Sequence, residues 1–284
     1  MSVKAMPVKS TSAKRPGVEV DTVLVPVPSS TTLVVDVFVA AKTMQRLEIG
    51  DQKKEYPPTA EGKLQFVETL SFQTGKASTV KVSNKHSDDE GASWESSLVE
   101  LYPDLVQFGT VNRRVVVTED DRDAGTNNHI VLHFLWWGPR AGTLPTSSEV
   151  SFPVPSKTDI FGIAYSDASY DQRVELSLND TPFYISGKGS TTPHNKLGSF
   201  TTNTEDATTA VARFSYKGPD ATSWSPSKAW NGSLLSLGDY REITAITEDW
   251  VDDDYNDTLA TFMWLQPDTS SSKQQVSGVQ NSSF

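Results

Sequence analysis

The sequence contains no cysteine, so neither disulfide bonds nor thiol chemistry contribute to its stability or function. It has no apolar run of about 18 residues, which a membrane-spanning helix needs. No apolar segment follows the basic N-terminus, so a secretory signal is not predicted. Basic residues are also scarce: 25 Lys and Arg stand against 36 Asp and Glu, giving a net charge of −11 and a sequence pI of about 4.8. Nucleic acids and anionic membranes bind basic surfaces, so neither is an expected partner. We expect a soluble protein, cytoplasmic or exported by a leaderless route.

The local sequence pattern predicts strands, and no segment shows a convincing helical period. The chain carries 17 Gly and 16 Pro among many Ser and Thr, which is typical of a fold with many turns. Strand-like segments are Val18–Val25, Leu33–Val39, Thr79–Val82, Arg114–Thr118 and Ile130–Trp137. At 284 residues the chain is long enough for one large domain or two ordinary ones. The sequence therefore predicts an all-β protein.

The most distinctive segment is TEDWVDDDYNDTLATFMW, residues 247–264, where an acidic stretch runs directly into a strand pattern. Its acidic and amide side chains are Glu248, Asp249, Asp252, Asp253, Asp254, Asn256 and Asp257. Oxygen ligands at such short spacing suit a hard cation such as calcium. The pattern is not an EF-hand, because Asp257 occupies the glycine position and Met263 the closing glutamate position. A solvated acidic loop is the alternative reading.

A second copy of this pattern lies earlier in the chain. Thr118 and Thr247 are 129 residues apart, Trp136 and Trp264 are 128 apart, and Leu33 and Phe161 are also 128 apart. A nearly constant offset over most of both halves indicates tandem duplication. Each copy has the size of one β-sandwich domain.

We therefore predict two tandem antiparallel β-sandwich domains. The predicted divisions are a flexible arm at 1–17, a first domain at 18–140, a linker at 141–157, a second domain at 158–268 and a disordered tail at 269–284. The stretch from 138 to 157 is rich in Pro, Ser and Thr, and also fits an edge strand.

The first copy lacks two of the acidic side chains. Thr126 stands in the place of Asp254, and His129 stands in the place of Asp257. A site with two fewer charges is not expected to hold calcium, so we predict a metal-free structural partner. Zinc at His129 and His133 is an alternative, but no further His or Cys ligand lies nearby in the sequence.

The segment from Glu248 to Asp257, followed by a strand ending at Trp264, resembles the signature of the bacterial two-calcium fucose/mannose-binding lectins. Their loop reads E-D-G-x-D-x-D-Y-N-D and continues into a strand ending N-W-P-L-G. The resemblance is strongest over about twenty residues and extends more weakly back to Phe161 and Gly162. It implies a nine-stranded antiparallel sandwich in which two calcium ions bind sugar hydroxyls.

The resemblance also implies a role for each matching residue. Glu248 and Asp252 would hold one ion, and Asn256 the other. Asp254 and Asp257 would bridge both ions. One further metal ligand, Asp167, stands where the family has an Asn. The implied sugar-binding residues are Asp249, Trp250, Ala168, Ser169 and Tyr170.

Three departures from the family pattern affect this expectation. Trp250 replaces a glycine and would either stack on a sugar or block the site. Tyr170 replaces a small residue in the loop that sets sugar preference. Family members end after N-W-P-L-G, and that terminal carboxylate completes the neighbouring subunit's site. Here both copies continue. The resemblance implies that the two copies pack as a pseudo-dimer, paired as the family's dimers are, and residues 138–140 of the first copy would then lie close to the site of the second.

The sequence thus favours a calcium-dependent lectin for mannose- or fucose-type glycans, with its site in the second copy. A calcium-stabilised structural or adhesion module without sugar binding is the alternative. A glycoside hydrolase using a pair such as Glu248 and Asp254 is disfavoured, because so many clustered acids without basic partners suit a cation better. We predict that the protein is not an enzyme. Of the tryptophans, Trp224 and Trp230 are the candidates for ligand contact.

Overall fold

The computed structural model describes residues 21–60, 63–76, 79–102, 105–108, 110–120, 129–138, 147–190, 195–232, 234–237, 239–249 and 257–266. Across these ranges the chain forms 22 β-strands and no α-helix, so the predicted all-β fold is confirmed. Within these ranges no helix is long and apolar enough to cross a membrane.

The first half of the chain forms two sheets. Its strands are β1 (Thr22–Pro26), β2 (Thr32–Val39), β3 (Met44–Ile49), β4 (Gln52–Tyr56), β5 (Gln65–Gln73), β6 (Thr79–Ser87), β7 (Glu95–Ser96), β8 (Leu98–Leu101), β9 (Val106–Phe108), β10 (Val111–Glu119) and β11 (Ile130–Trp137). One sheet has the order β1-β6-β3-β4, with β7 paired to β6. The other has the order β5-β2-β11-β10-β8, with β9 paired to β10.

The second half repeats this arrangement strand for strand. Its strands are β12 (Glu149–Val154), β13 (Thr158–Ser166), β14 (Asp171–Leu178), β15 (Thr181–Gly187), β16 (Asn195–Thr204), β17 (Thr208–Lys217), β18 (Ser225–Pro226), β19 (Lys228–Asn231), β20 (Leu235–Leu237), β21 (Tyr240–Glu248) and β22 (Thr258–Leu265). The two sheets have the orders β12-β17-β14-β15 and β16-β13-β22-β21-β19. The same order in both halves supports the internal repeat that the sequence indicates.

Part of the predicted linker is a strand. Residues 149–154 form β12 at the edge of its sheet, paired with β17. Val150, Phe152 and Val154 alternate with exposed residues and are buried in the core of the second half. The linker prediction is therefore wrong for these residues, and the edge-strand reading of the same stretch is right. The N-terminal arm, residues 139–146 and the tail lie outside the described residues.

Each half encloses its own apolar core between its two sheets. The alternating pattern of β14, with every second side chain buried, is typical of a strand that has one face on a core and one in solvent.

A third apolar core lies between the halves. It unites side chains of β10 and β11, such as Val115 and Leu135, with side chains of β21 and β22, such as Ile246 and Met263. The rings of Phe38 and Phe161 also meet here, with centroids 5.9 Å apart. Strands β11 and β22 are consequently buried on both faces, which explains their near-continuous apolar sequences.

Candidate functional site

The candidate site of the second half lies where three neighbouring strands end or begin. Asp167 follows β13, Glu248 is the last residue of β21, and Asp257 immediately precedes β22. Strand β22 pairs with both other strands, so Thr258 lies opposite Ser166 on one side and Thr247 on the other. The sheet therefore brings together residues that are about ninety positions apart in the sequence.

Backbone hydrogen bonds fix this arrangement. The amide of Asp167 donates to the carbonyl oxygen of Asp257 over 3.2 Å, and the amide of Asp257 donates to the carbonyl oxygen of Thr247 over 3.2 Å. The Oδ2 atom of Asp257 accepts a hydrogen bond of 2.6 Å from the amide of Asp249. Three of the six predicted metal ligands, Asp167, Glu248 and Asp257, thus belong to adjoining backbone segments.

The carboxyl groups at this place are poorly hydrated. Glu248 is fully buried, and Asp249 is 8% exposed. Burial raises the pKa of Asp167 above its ordinary value. Removing a carboxylate from water disfavours its charged form, and a bound cation reverses that effect.

The other predicted ligands, Asp252, Asp254 and Asn256, lie outside the described residues, as does Trp250. In the part of the chain that the structure does describe, no three His, Cys, Asp or Glu side chains are grouped as a metal site. The six-residue ligand set therefore stays a prediction.

Asp249, predicted to bind sugar, is held by two buried side chains. Its carboxylate accepts hydrogen bonds from Nε2 of Gln172 and, over 3.1 Å, from the hydroxyl of Ser227. Gln172 also donates to the carbonyl oxygen of Tyr170 over 3.1 Å and accepts from the hydroxyl of Thr258 over 2.9 Å. Gln172 thereby connects the predicted specificity loop, the start of the acidic segment and the start of β22.

The predicted specificity loop is closely packed. Ala168 is buried, Ser169 is exposed, and Tyr170 is half-buried with its ring stacked on Tyr216 at 5.8 Å. Gly189 lies close against the loop backbone. A Cβ atom at this position would be 2.1 Å from the carbonyl oxygen of Tyr170. Only glycine permits this approach of the two backbones.

The first half contains the same buried carboxylate arrangement. Asp120 accepts hydrogen bonds from Nε2 of Gln45 over 2.7 Å and from the hydroxyl of Ser97 over 2.9 Å. Its amide donates to Nδ1 of His129 over 2.7 Å, just as the Asp249 amide donates to Asp257 in the second half. His129 therefore replaces one acceptor but not the carboxylate charge.

The two histidines of the zinc alternative, His129 and His133, have different surroundings. Nδ1 of His129 lies 3.3 Å from Asp120 and 3.6 Å from Glu119, at the loop end of the first half. Nε2 of His133 lies 2.7 Å from Glu242 and 3.1 Å from the hydroxyl of Tyr240, in the surface between the halves. The two side chains do not share one set of neighbours.

Sequence reasoning missed Gln172 and Ser227, although a signal was present. Three short patterns recur in both halves: Gln-Arg at 45–46 and 172–173, Trp-x-x-Ser at 94–97 and 224–227, and Glu-Asp at 119–120 and 248–249. Each supplies a residue to the buried carboxylate arrangement. The tryptophans carry an arginine over the ring, at 3.7 Å for Arg46 on Trp94 and 4.7 Å for Arg173 on Trp224.

The two candidate tryptophans differ in position. Trp224 is half-buried, with the Arg173 guanidinium and the Lys217 ammonium over its ring. Trp230 packs against the apolar core between the halves. The structure therefore gives Trp230 a packing role, and ligand contact by Trp224 stays a prediction.

Comparison with known proteins connects the second half to one family. Residues 152–266 match the family described as fucose-binding lectin II (PA-IIL). No curated protein sequence matches the chain.

Three solved structures resemble part of the chain. The high-affinity mannose-binding lectin of Ralstonia solanacearum is 21% identical, with 40% of this chain and 94% of that chain covered and a TM-score of 0.33. The lectin CV2L of Chromobacterium violaceum, solved with α-methyl-fucoside, is 22% identical, with coverages of 40% and 94% and a TM-score of 0.33. The C-terminal domain of the Burkholderia cenocepacia lectin BC2L-C is 20% identical, with coverages of 42% and 97% and a TM-score of 0.34.

The matched segment spans the acidic sequence, β13 and the predicted specificity loop, all within the second half. This part of the chain is similar to the family of PA-IIL-like fucose-binding lectins. This relationship agrees with the prediction that the protein is not an enzyme.

Proposed function

We propose that the protein is a calcium-dependent carbohydrate-binding lectin with one two-calcium site, in its second half. The observation that carries the proposal is the family match over residues 152–266, which includes the whole acidic segment. The hydrogen bond between the Asp167 amide and the Asp257 carbonyl supports it, because it brings the most distant predicted ligand to the end of that segment.

The residues present suit calcium. The predicted ligands are five carboxylates and one amide, all oxygen donors, and their five negative charges exceed the four positive charges of two calcium ions. The raised pKa of Asp167 reflects desolvation that a cation would offset. Glu248, Asp252, Asp254, Asn256, Asp257 and Asp167 would hold the ions. When bound, the ions offer coordination positions to vicinal sugar hydroxyls.

The sugar would meet side chains of two loops. Ser169 is exposed, so its hydroxyl is available to a ligand. Tyr170 is half-buried with one face of its ring stacked on Tyr216, so a sugar would contact the remaining surface of the ring. Trp250 would stack on the sugar. Mannose- and fucose-type glycans are the proposed class, because the matched family is described as fucose-binding and the acidic segment resembles the signature of the fucose/mannose-binding lectins.

We further propose that the two halves pair as the family's dimers do, with residues 138–140 close to the site of the second half. The extensive apolar core between β10–β11 and β21–β22 supports such a pairing.

A calcium-stabilised module without sugar binding is the second candidate. The surroundings of Asp249 favour it, because Gln172 and Ser227 already occupy its carboxylate and the first half binds Asp120 in the same way. In this reading, calcium would raise the thermal stability and no sugar would bind.

Calorimetric titration of methyl α-mannoside and of fucose, with calcium and with EDTA, tests the proposal. We expect binding in calcium, none in EDTA, and none in the D254A variant, because loss of a bridging carboxylate removes the cations. Stabilisation by calcium without any heat from either sugar would contradict the lectin proposal and support the second candidate. Sugar binding that survives EDTA would exclude both.

A further inference from the structure

A buried cluster of polar side chains lies in the middle of the surface between the halves. The guanidinium of Arg113, on β10, forms an ion pair with the carboxylate of Glu242, on β21. Nε2 of His133 lies 2.7 Å from the same carboxylate, and the hydroxyl of Tyr240 donates to it over 2.6 Å. Arg113, His133, Tyr240 and Glu242 are each at most 3% exposed.

Arg113 and Glu242 occupy equivalent positions of the duplicated unit. Strands β10 and β21 both have nine residues, end in Thr-Glu and align without a gap, so Arg113 corresponds to Glu242. Each residue therefore contacts its own counterpart. This is the property of positions beside a two-fold axis, where a residue of one subunit meets the same residue of the other.

A symmetric pair of either half would bring like charges together at this point. Two first halves would place arginine against arginine, and two second halves would place glutamate against glutamate, both buried. Buried like charges without compensation are strongly unfavourable. Only the combination of a first half with a second half gives an ion pair.

The neighbours of the pair strengthen this asymmetry. Tyr240 corresponds to Val111, and His133 corresponds to Thr261, so neither side chain has a like counterpart at the equivalent position of the other half. Thr244, which donates to the Glu242 carboxylate over 3.0 Å, corresponds to Val115. The groups that hydrogen-bond the carboxylate therefore have no equivalents on the other side.

We propose that the Arg113–Glu242 pair makes the two halves mutually specific. The face formed by β10 and β11 packs favourably against the face formed by β21 and β22. Packing of either face against a second copy of itself would bury two like charges and is therefore unfavourable. Such rejection by unpaired charge is how interfaces discriminate between similar partners. This inference does not depend on sugar or calcium binding.

The test uses two full-length variants, R113E and E242R, studied alone and together. Within either chain the two halves now present like charges to each other. A first half of the R113E chain is complementary to a second half of the E242R chain, and the converse also holds. We expect each variant alone to be monomeric with a lowered midpoint of urea unfolding. Refolding an equimolar mixture should give a dimer of twice the mass by light scattering.

If a single variant fails to fold, the R113E/E242R double variant tests the inference, because it restores opposite charges at the two positions. We expect it to recover more than half of the loss in the unfolding midpoint. A double variant no more stable than the less stable single one would overturn the inference. Single variants as stable as the natural chain, or a single variant that dimerises alone, would also overturn it.

The matched control is K63E. Lys63 and Asp159 form a second ion pair between the halves, over 3.2 Å, but both side chains are at least 40% exposed. Exposed pairs contribute little, so K63E should leave the unfolding midpoint unchanged and should not dimerise with a D159K chain. A midpoint loss as large as that of R113E would show that any charge change at this surface has the same effect, and would overturn the proposed specificity.

Discussion

At the scale of single residues, the most informative comparison is between Asp249 and Asp120. Both accept hydrogen bonds from a glutamine and a serine, and both donate their amide to the residue just before the next strand. That residue is Asp257 in one half and His129 in the other. The scaffold of the site is thus shared by the two halves, and the charge at its end differs.

We predict that Gln172→Ala weakens sugar binding by disturbing the scaffold. The variant removes hydrogen bonds to Asp249, to the Tyr170 carbonyl and from Thr258, leaving buried polar atoms unsatisfied. Each such group costs about 1–3 kcal/mol, so the free energy of unfolding should fall by at least that amount. Chemical denaturation and calorimetric titration in calcium measure the two effects.

Gln45→Ala is the control for this prediction. Gln45 plays the equivalent part in the first half, with hydrogen bonds to Asp120 and from Asn84. It should lower stability to a similar extent and leave sugar affinity unchanged. Equal losses of sugar affinity in both variants would indicate a general effect of instability and would speak against a positioning role for Gln172.

At the scale of strands and sheets, the sequence predicts those elements that show a clear apolar pattern or belong to the internal repeat. Leu33–Val39 and Ile130–Trp137 are predicted to within one residue of β2 and β11, because strongly apolar strands have clear patterns. β12 is only ambiguously indicated, since Pro153 and the surrounding Ser and Thr also fit a linker. An edge strand tolerates proline there because its outer side needs no hydrogen-bonding partner.

The candidate site can be predicted from the sequence only in part, because only some of its residues form a recognisable local pattern. The acidic residues predict a cation-binding segment, because charge repulsion between close carboxylates needs compensation. Gln172 and Ser227 carry no such signal, because a single amide and a single hydroxyl are common on any strand. Their role depends on contacts between distant segments. Ser227 directly precedes β19, which pairs with β21 next to Asp249, and Gln172 lies at the start of β14 in the other sheet.

At the scale of the whole molecule, the buried ion pair between Arg113 and Glu242 makes the stability of the fold depend on pH. Burial raises the pKa of Glu242, but Arg113, His133 and the Tyr240 hydroxyl outweigh burial and hold it below the usual range. A depressed carboxyl pKa stabilises the fold above the pKa of the unfolded chain, about 4.3 for glutamate. This contribution is lost as the pH falls from there towards the pKa of the folded state.

We therefore predict that the free energy of unfolding falls as the pH is lowered from about 5 to about 3, and that the fall is shallower in E242Q. The variant should also be less stable at neutral pH, since Arg113 loses its anionic partner. Urea unfolding of both proteins across this range measures the slopes. Equal slopes would show that Glu242 does not contribute to acid unfolding.

The most direct measurement of the central claim is the number of sugar sites per chain in the natural protein and in the D257H variant. This variant gives the second half the histidine that the first half already has at the equivalent position, His129. We predict about one calcium-dependent site per chain by calorimetric titration in the natural protein and none in D257H, with its fold retained by circular dichroism. Sugar binding that persists in D257H, or two sites per natural chain, would contradict the account.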